Sequence, residues 1–135
     1  MSASTEGKPR ILIVDDEPDL LTVLRLGLEA EGFDVVQASD GEQGLAMARE
    51  LMPDLLVLDL MLPRMDGYKV CRALKFDERY RHIPIFILSA RSGETDRRLA
   101  LELGADEVHT KPYDMRDLVM RIRTRLEQKQ GRAAA

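Results

Sequence analysis

Three short runs constrain this chain more than any other feature. Ile11-Leu12-Ile13-Val14, Leu55-Leu56-Val57-Leu58 and Ile85-Phe86-Ile87-Leu88 are apolar at every position. Side chains of a strand alternate between the two faces of its sheet, so strands of this kind must be covered on both faces, as in a parallel sheet. Asp34-Val35-Val36 and, more weakly, Glu107-Val108-His109 also read as strands. Helical stripes lie between the five runs. Leu20, Val23, Leu24 and Leu28 form one, and Met115, Leu118, Val119, Ile122 and Leu126 another. Leu45, Ala48 and Met52, then Val70 and Leu74, then Leu99 and Leu103, form shorter ones.

Punctuation agrees with this alternation. Asp40 suits the N-cap of the second helix and Gly32 the end of the first. Pro53 separates the second helix from the third strand, and Pro84 stands where the fourth strand begins. Five βα units result, and right-handed crossovers make them a three-layer α/β/α sandwich. Of the common orders for such sheets, 2-1-3-4-5 suits five strands. The expected organisation is a tail over 1–9, one domain over 10–128, and a C-terminal tail or linker start over 129–135. At this length about two-thirds of the unfolded surface can be buried without disulfides or structural metal, and the single cysteine, Cys71, rules out a disulfide framework. Cys71, Met47, Met52, Met115 and Met120 read as packing residues. No apolar stretch approaches the roughly 20 residues of a membrane span, and the polar start lacks a signal peptide's apolar core. A soluble, cytoplasmic chain is expected. The 24 acidic residues exceed the 20 basic ones, which argues against direct nucleic-acid binding by the domain itself.

In this strand order ligands sit at the carboxyl ends of strands 1 and 3. Strand 1 ends in Asp15-Asp16-Glu17 and strand 3 in Asp59. Carboxylates so close repel unless a cation neutralises them, and an all-oxygen set favours Mg²⁺. Strand 4 ends in Ser89-Ala90, and strand 5 is followed by Lys111-Pro112, a bond that admits the cis form. Together these suit phosphoryl transfer to a carboxylate. Asp59 is the attacking group, Asp16 and Asp59 with Asp15 hold Mg²⁺, and Ser89 and Lys111 take the remaining oxygens.

Asp15-Asp16, Asp59, Ser89-Ala90 and Lys111-Pro112 on successive units resemble the receiver domain of two-component response regulators, the CheY-like, flavodoxin-like fold. The segment Asp59 to Gly67, with Pro63 and Asp66, and Leu103-Gly104-Ala105-Asp106 match as well. The resemblance implies that Asp59 is the phosphoacceptor of a sensor histidine kinase or phosphotransfer protein. It implies that Asp15, Asp16, Asp59 and the backbone carbonyl of Met61 bind Mg²⁺, and that Ser89 and Lys111 respond to the phosphoryl group. Receivers usually carry an aromatic residue three positions before the lysine, and here Val108 stands there. His109, next to it, is expected on the other face of the strand. Met61 and Arg91 would flank an attacking water. Arg97, Asp106, Glu107, Asp117, Arg121 and Arg123 are similar to the set through which winged-helix regulators dimerise by helix 4, strand 5 and helix 5. By that analogy Arg97 meets Asp117, Glu107 meets Arg121 and Asp106 meets Arg123, each pair across a two-fold axis between two copies. The long connection from Lys75 to Pro84 is instead similar to stand-alone and cyclase-linked receivers, so a C-terminal output domain stays open.

Two other readings compete. One is a receiver-fold interaction module that signals without phosphorylation, which the complete acidic set disfavours. The other is an Asp-nucleophile phosphohydrolase, which wants a second acid where Met61 stands and a cap domain. The expectation is therefore a phosphoacceptor that assists its own phosphorylation and dephosphorylation rather than an enzyme acting on other substrates.

Overall fold

The computed structural model describes residues 7–90 and 93–134. The elements run β1 (Arg10–Val14), α1 (Pro18–Ala30), β2 (Asp34–Ala38), α2 (Gly41–Leu51), β3 (Leu55–Leu58), α3 (Gly67–Lys75), β4 (Ile85–Ser89), α4 (Glu94–Glu102), β5 (Glu107–Thr110) and α5 (Met115–Ala134). All five strands are parallel, in the order β2-β1-β3-β4-β5. This is the expected three-layer sandwich, and α5 continues past residue 128 to Ala134.

The doubly apolar runs explain the two cores. On β1, Ile11 and Ile13 face α1 and α5, while Leu12 and Val14 face α2 and α3. Leu55 and Val57 of β3 and Phe86 and Leu88 of β4 join the first core; Leu56, Leu58, Ile85 and Ile87 join the second. No position of these three apolar runs is left for water, so both helical layers are obligatory. The register sets Val14 beside Leu58, and the next residues, Asp15 and Asp59, leave the sheet together. The Asp59 N–H still donates to the Val14 carbonyl at 3.0 Å, and the Asp15 N–H to Ala38 at 3.2 Å.

Local punctuation follows ordinary capping chemistry. Asp40 accepts from the Gln43 N–H at the start of α2, and Asp66 from the Lys69 N–H at the start of α3. Gly32 follows α1 at φ +93°, a conformation that costs a residue with a Cβ far more. The start of α3 lies so close to the chain after β3 that a Cβ on Gly67 would run into the Asp59 carbonyl oxygen.

Four helices differ from the sequence expectation in what they bury. In α1, Leu21, Leu24 and Leu28 face the core, whereas Val23 is 59% exposed. Two overlapping stripes share Leu24 and Leu28, and packing on the sheet selects the one through Leu21. In α4, Ala100 is buried and Leu99 is 41% exposed, because a small residue lets the helix approach the sheet closely. Met52 and Met120 are exposed rather than packed; Met52 caps α2 in the left-handed conformation. Leu21→Ala should cost about 2–4 kcal/mol in urea unfolding, while Val23→Ala should change stability by no more than about 0.5 kcal/mol.

Candidate metal and phosphoryl site

Asp15 and Asp59 are buried at the carboxyl ends of β1 and β3, and Asp16 beside them is exposed. One carboxylate oxygen from each lies within 4.8 Å of the others. Neither Asp16 nor Glu17 caps α1 through its side chain. Asp15 instead accepts the Glu17 N–H at 3.0 Å through Oδ1, which fixes its other oxygen toward the site. Asp59 Oδ1 likewise accepts the Met61 N–H at 3.1 Å.

Lys111 arrives from the far edge of the sheet. Its backbone N–H donates to the Ser89 carbonyl at 2.8 Å, which continues the β4–β5 pairing one step past Thr110. The Lys111-Pro112 bond is cis. Lys111 Nζ then reaches Asp15 Oδ2 at 2.7 Å and Asp59 Oδ2 at 3.3 Å. Ser89 is fully buried at the end of β4, and Ala90 after it is exposed.

The electrostatics are lopsided, with one ammonium against three carboxylates. Asp15 and Asp59 alone repel by roughly 3.5 kcal/mol at an effective dielectric constant of 20. Burial pushes the Asp59 carboxyl above its ordinary range, and the Asp15 charge adds to this. The Met61 N–H and Lys111 oppose the shift without cancelling it. Burial by itself would lower the Lys111 pKa, but the hydrogen bond to Asp15 and the charges of Asp59 and Asp15 outweigh it, and the ammonium is held above its usual value. A purely oxygen donor set, two of its three carboxylates buried, with unbalanced negative charge fits a hard divalent cation.

Around the site, Val108 packs toward α4 with the α2–α3 core, and His109 lies on the opposite face, its ring 5.7 Å from that of Phe86. Met61 is 53% exposed at the rim. Arg91 lies outside the described residues. One contact left no sequence signal: the Tyr68 hydroxyl at the start of α3 donates to Asp96 of α4 at 2.8 Å. It joins residues far apart in the chain and belongs to neither apolar pattern.

The surface of α4, β5 and α5 gathers most of the expected charged set. Arg97 donates to the Val108 carbonyl at 3.2 Å, and Arg121 lies 3.8 Å from Glu107 within the same chain. Asp117 is exposed. Within this single chain Arg123 points toward α1. It turns to Glu31, 3.0 Å away, and over the Phe33 ring beside α1. Asp106 is held by Lys75 at 2.9 Å, with Arg125 at 4.0 Å.

Comparison with known proteins agrees with this architecture. The family model of the response regulator receiver domain matches residues 11–123, and the chain belongs to that family. It is 45% identical over 118 residues to the DNA-binding dual master transcriptional regulator RpaA of Synechocystis, covering 87% of this chain and 49% of that protein. It is 45% identical over 127 residues to the DNA-binding response regulator MtrA of Mycolicibacterium smegmatis, covering 94% and 54%. The chain thus spans about half the length of these curated relatives. Among solved structures, a CheY-like receiver domain protein of Methanospirillum hungatei superposes with a TM-score of 0.88 at 27% identity, covering 93% of this chain and 99% of that one. The BeF3-activated receiver domain of RstA from Klebsiella pneumoniae gives 0.81 at 31% identity, covering 87% and 97%. Among the described residues, no helix is long and apolar enough to cross a membrane.

A carboxyl with a raised pKa binds its proton more tightly in the folded state, so its contribution to stability falls as pH rises through that pKa. In buffer free of divalent cations, Asp59→Asn should therefore be more stable than the parent at pH 7. Urea unfolding should show the gap narrowing toward pH 4, near the unreacted carboxyl's ordinary 3.8. Added Mg²⁺ should stabilise the parent more than the variant.

Proposed function

We propose that the domain is switched by phosphorylation of Asp59, with a cytoplasmic sensor histidine kinase or phosphotransfer protein as the donor. The observation that carries this reading is the convergence of Asp15, Asp16 and Asp59 within 4.8 Å, with Lys111 on two of them. An Asp59 carboxylate oxygen forms a bond to phosphorus as the bond to the leaving group breaks. The leaving group departs with the electron pair, and a mixed anhydride remains on Asp59. Asp16, Asp59 and the Met61 backbone carbonyl would hold Mg²⁺, with Asp15 assisting through water. When bound, the ion supplies positive charge to the phosphoryl oxygens. Lys111 would pair with the transferred group, and Ser89, with Ala90 beside it, would donate a hydrogen bond to it.

The acyl phosphate adds close to two negative charges. Ser89 and Lys111 end β4 and β5, so their rearrangement bears on α4 and on the α4–β5–α5 surface. With Val108 in the usual aromatic position, that transmission would run through the hydroxyl and the lysine without an inward-turning ring. Arg97, Asp106, Glu107, Asp117, Arg121 and Arg123 of this surface would then meet a partner, a second copy or an output domain. An output module beyond residue 128 accords with relatives of about twice the matched length, two of which are named as DNA-binding. In this reading residues 10–128 form the phosphorylatable unit, and the domain turns over only its own phosphate.

Incubation with Mg²⁺ and acetyl phosphate, read by intact mass, should add one phosphoryl group. Asp59→Ala or chelation of Mg²⁺ should abolish it, and an unchanged adduct in Asp59→Ala would overturn the reading. Sedimentation with beryllofluoride should show a dimer that Arg121→Glu returns to monomer; a parent that stays monomeric counts against the homodimer.

A further inference from the structure

A second charged site lies at the opposite end of the sheet. Where β4 and β5 begin, Lys75, Arg81, His82, Asp106, Arg125 and Lys129 surround a cavity of about 130 Å³. Four basic side chains and the Asp106 carboxylate line it, with Glu107 and Asp54 just outside, in a chain whose net charge is −4.

The Asp106 carboxylate is already engaged. Asp106 Oδ2 accepts the Ile85 N–H at 2.8 Å and pairs with Lys75 Nζ at 2.9 Å. Lys75 also donates to the Arg81 carbonyl at 3.0 Å, and its side chain is only 10% exposed. Arg125 has no comparable partner. Its terminal nitrogens stop 4.0 Å from Asp106 and 3.8 Å from Glu107, beyond hydrogen-bond reach. Its Nε is buried without an acceptor, the one such side-chain atom among the described residues. Lys129 Nζ has a long contact to the Asp54 carbonyl at 3.4 Å.

Cations near a helix C-terminus are ordinary, and that accounts for Lys75 in the last turn of α3. It does not account for Arg125, which sits mid-helix in α5 and turns inward. We infer that this cavity binds a small, doubly charged oxyanion of the phosphate class, held by Arg125 and Lys129 with Lys75 and Arg81 at its edge. An anion there would supply the acceptors that Arg125 lacks and offset the mutual repulsion of the lysines. Lys129 is lowered by burial and by Lys75, against the pull of Asp54, and His82 is lowered by burial, Lys129 and Lys75. The cavity holds about four waters at ~30 Å³ each, enough for a phosphate group but not for a nucleoside. A phosphate ester would have to leave its organic part outside.

The test is an amide chemical-shift titration of the whole chain in EDTA, with ionic strength held constant by sodium chloride. Inorganic phosphate should give saturable shifts at Lys75, His82, Arg125 and Lys129, leaving Asp15 and Asp59 unmoved. Lys129→Gln and Arg125→Gln should each weaken binding by about tenfold, the loss expected for one charge-assisted hydrogen bond. Lys129 is partly exposed, so its variant tests the site even where Arg125→Gln disturbs α5. A parallel titration with O-phosphoserine separates the sources: tighter binding of the ester points to a phosphorylated partner, and binding of inorganic phosphate alone to the free ion. Shifts that never saturate, that chloride reproduces, or that both variants retain would overturn the inference.

Discussion

The contact of Lys111 with Asp15 and Asp59 is the interaction on which the arrangement of this domain turns. It ties the end of β5 to the ends of β1 and β3 across 96 and 52 residues of chain. Removing either partner of such a pair leaves a buried charge uncompensated, which is far more costly than a surface ion pair is worth. Yet the balance is incomplete by design of the residues present. One ammonium faces three carboxylates, so the folded domain carries a concentrated negative charge at one end of its sheet. In the proposed function that residual charge is the reason for a divalent cation, and the lysine is poised to change partners when a phosphoryl group arrives.

Much of this was legible in the sequence because the relevant signals are local. Unbroken apolar runs require two covering layers, and five of the strand-like segments separated by helical stripes leave few topologies. The register places Asp15 and Asp59 one residue beyond paired strand ends, so their meeting follows from the strand order alone. The cap at Asp40 depends on nothing beyond the next turn of chain.

What was misread depends on how helices rotate and where long side chains go. Val23 and Leu21 are equally apolar, and only contact with the sheet and α5 decides which is covered. Leu99 yields to Ala100 for the opposite reason, since closeness of approach outweighs side-chain size. The cluster around Arg125 and the Tyr68–Asp96 hydrogen bond carried no motif at all. Both join side chains from three or more separate segments, or from helices distant in sequence, at points where no periodicity converges.

By itself the sequence determined the layers, the strand order and the three acids at the strand ends, because each follows from neighbours within a few residues. The tertiary structure alone decided which face of α1 and α4 is buried, how far Lys111 reaches, and that α5 brings Arg125 and Lys129 over the amino ends of β4 and β5. The physical reason is the same in each case. Backbone pairing and apolar periodicity are written locally, whereas the reach of a charged side chain is set by the relative placement of whole elements.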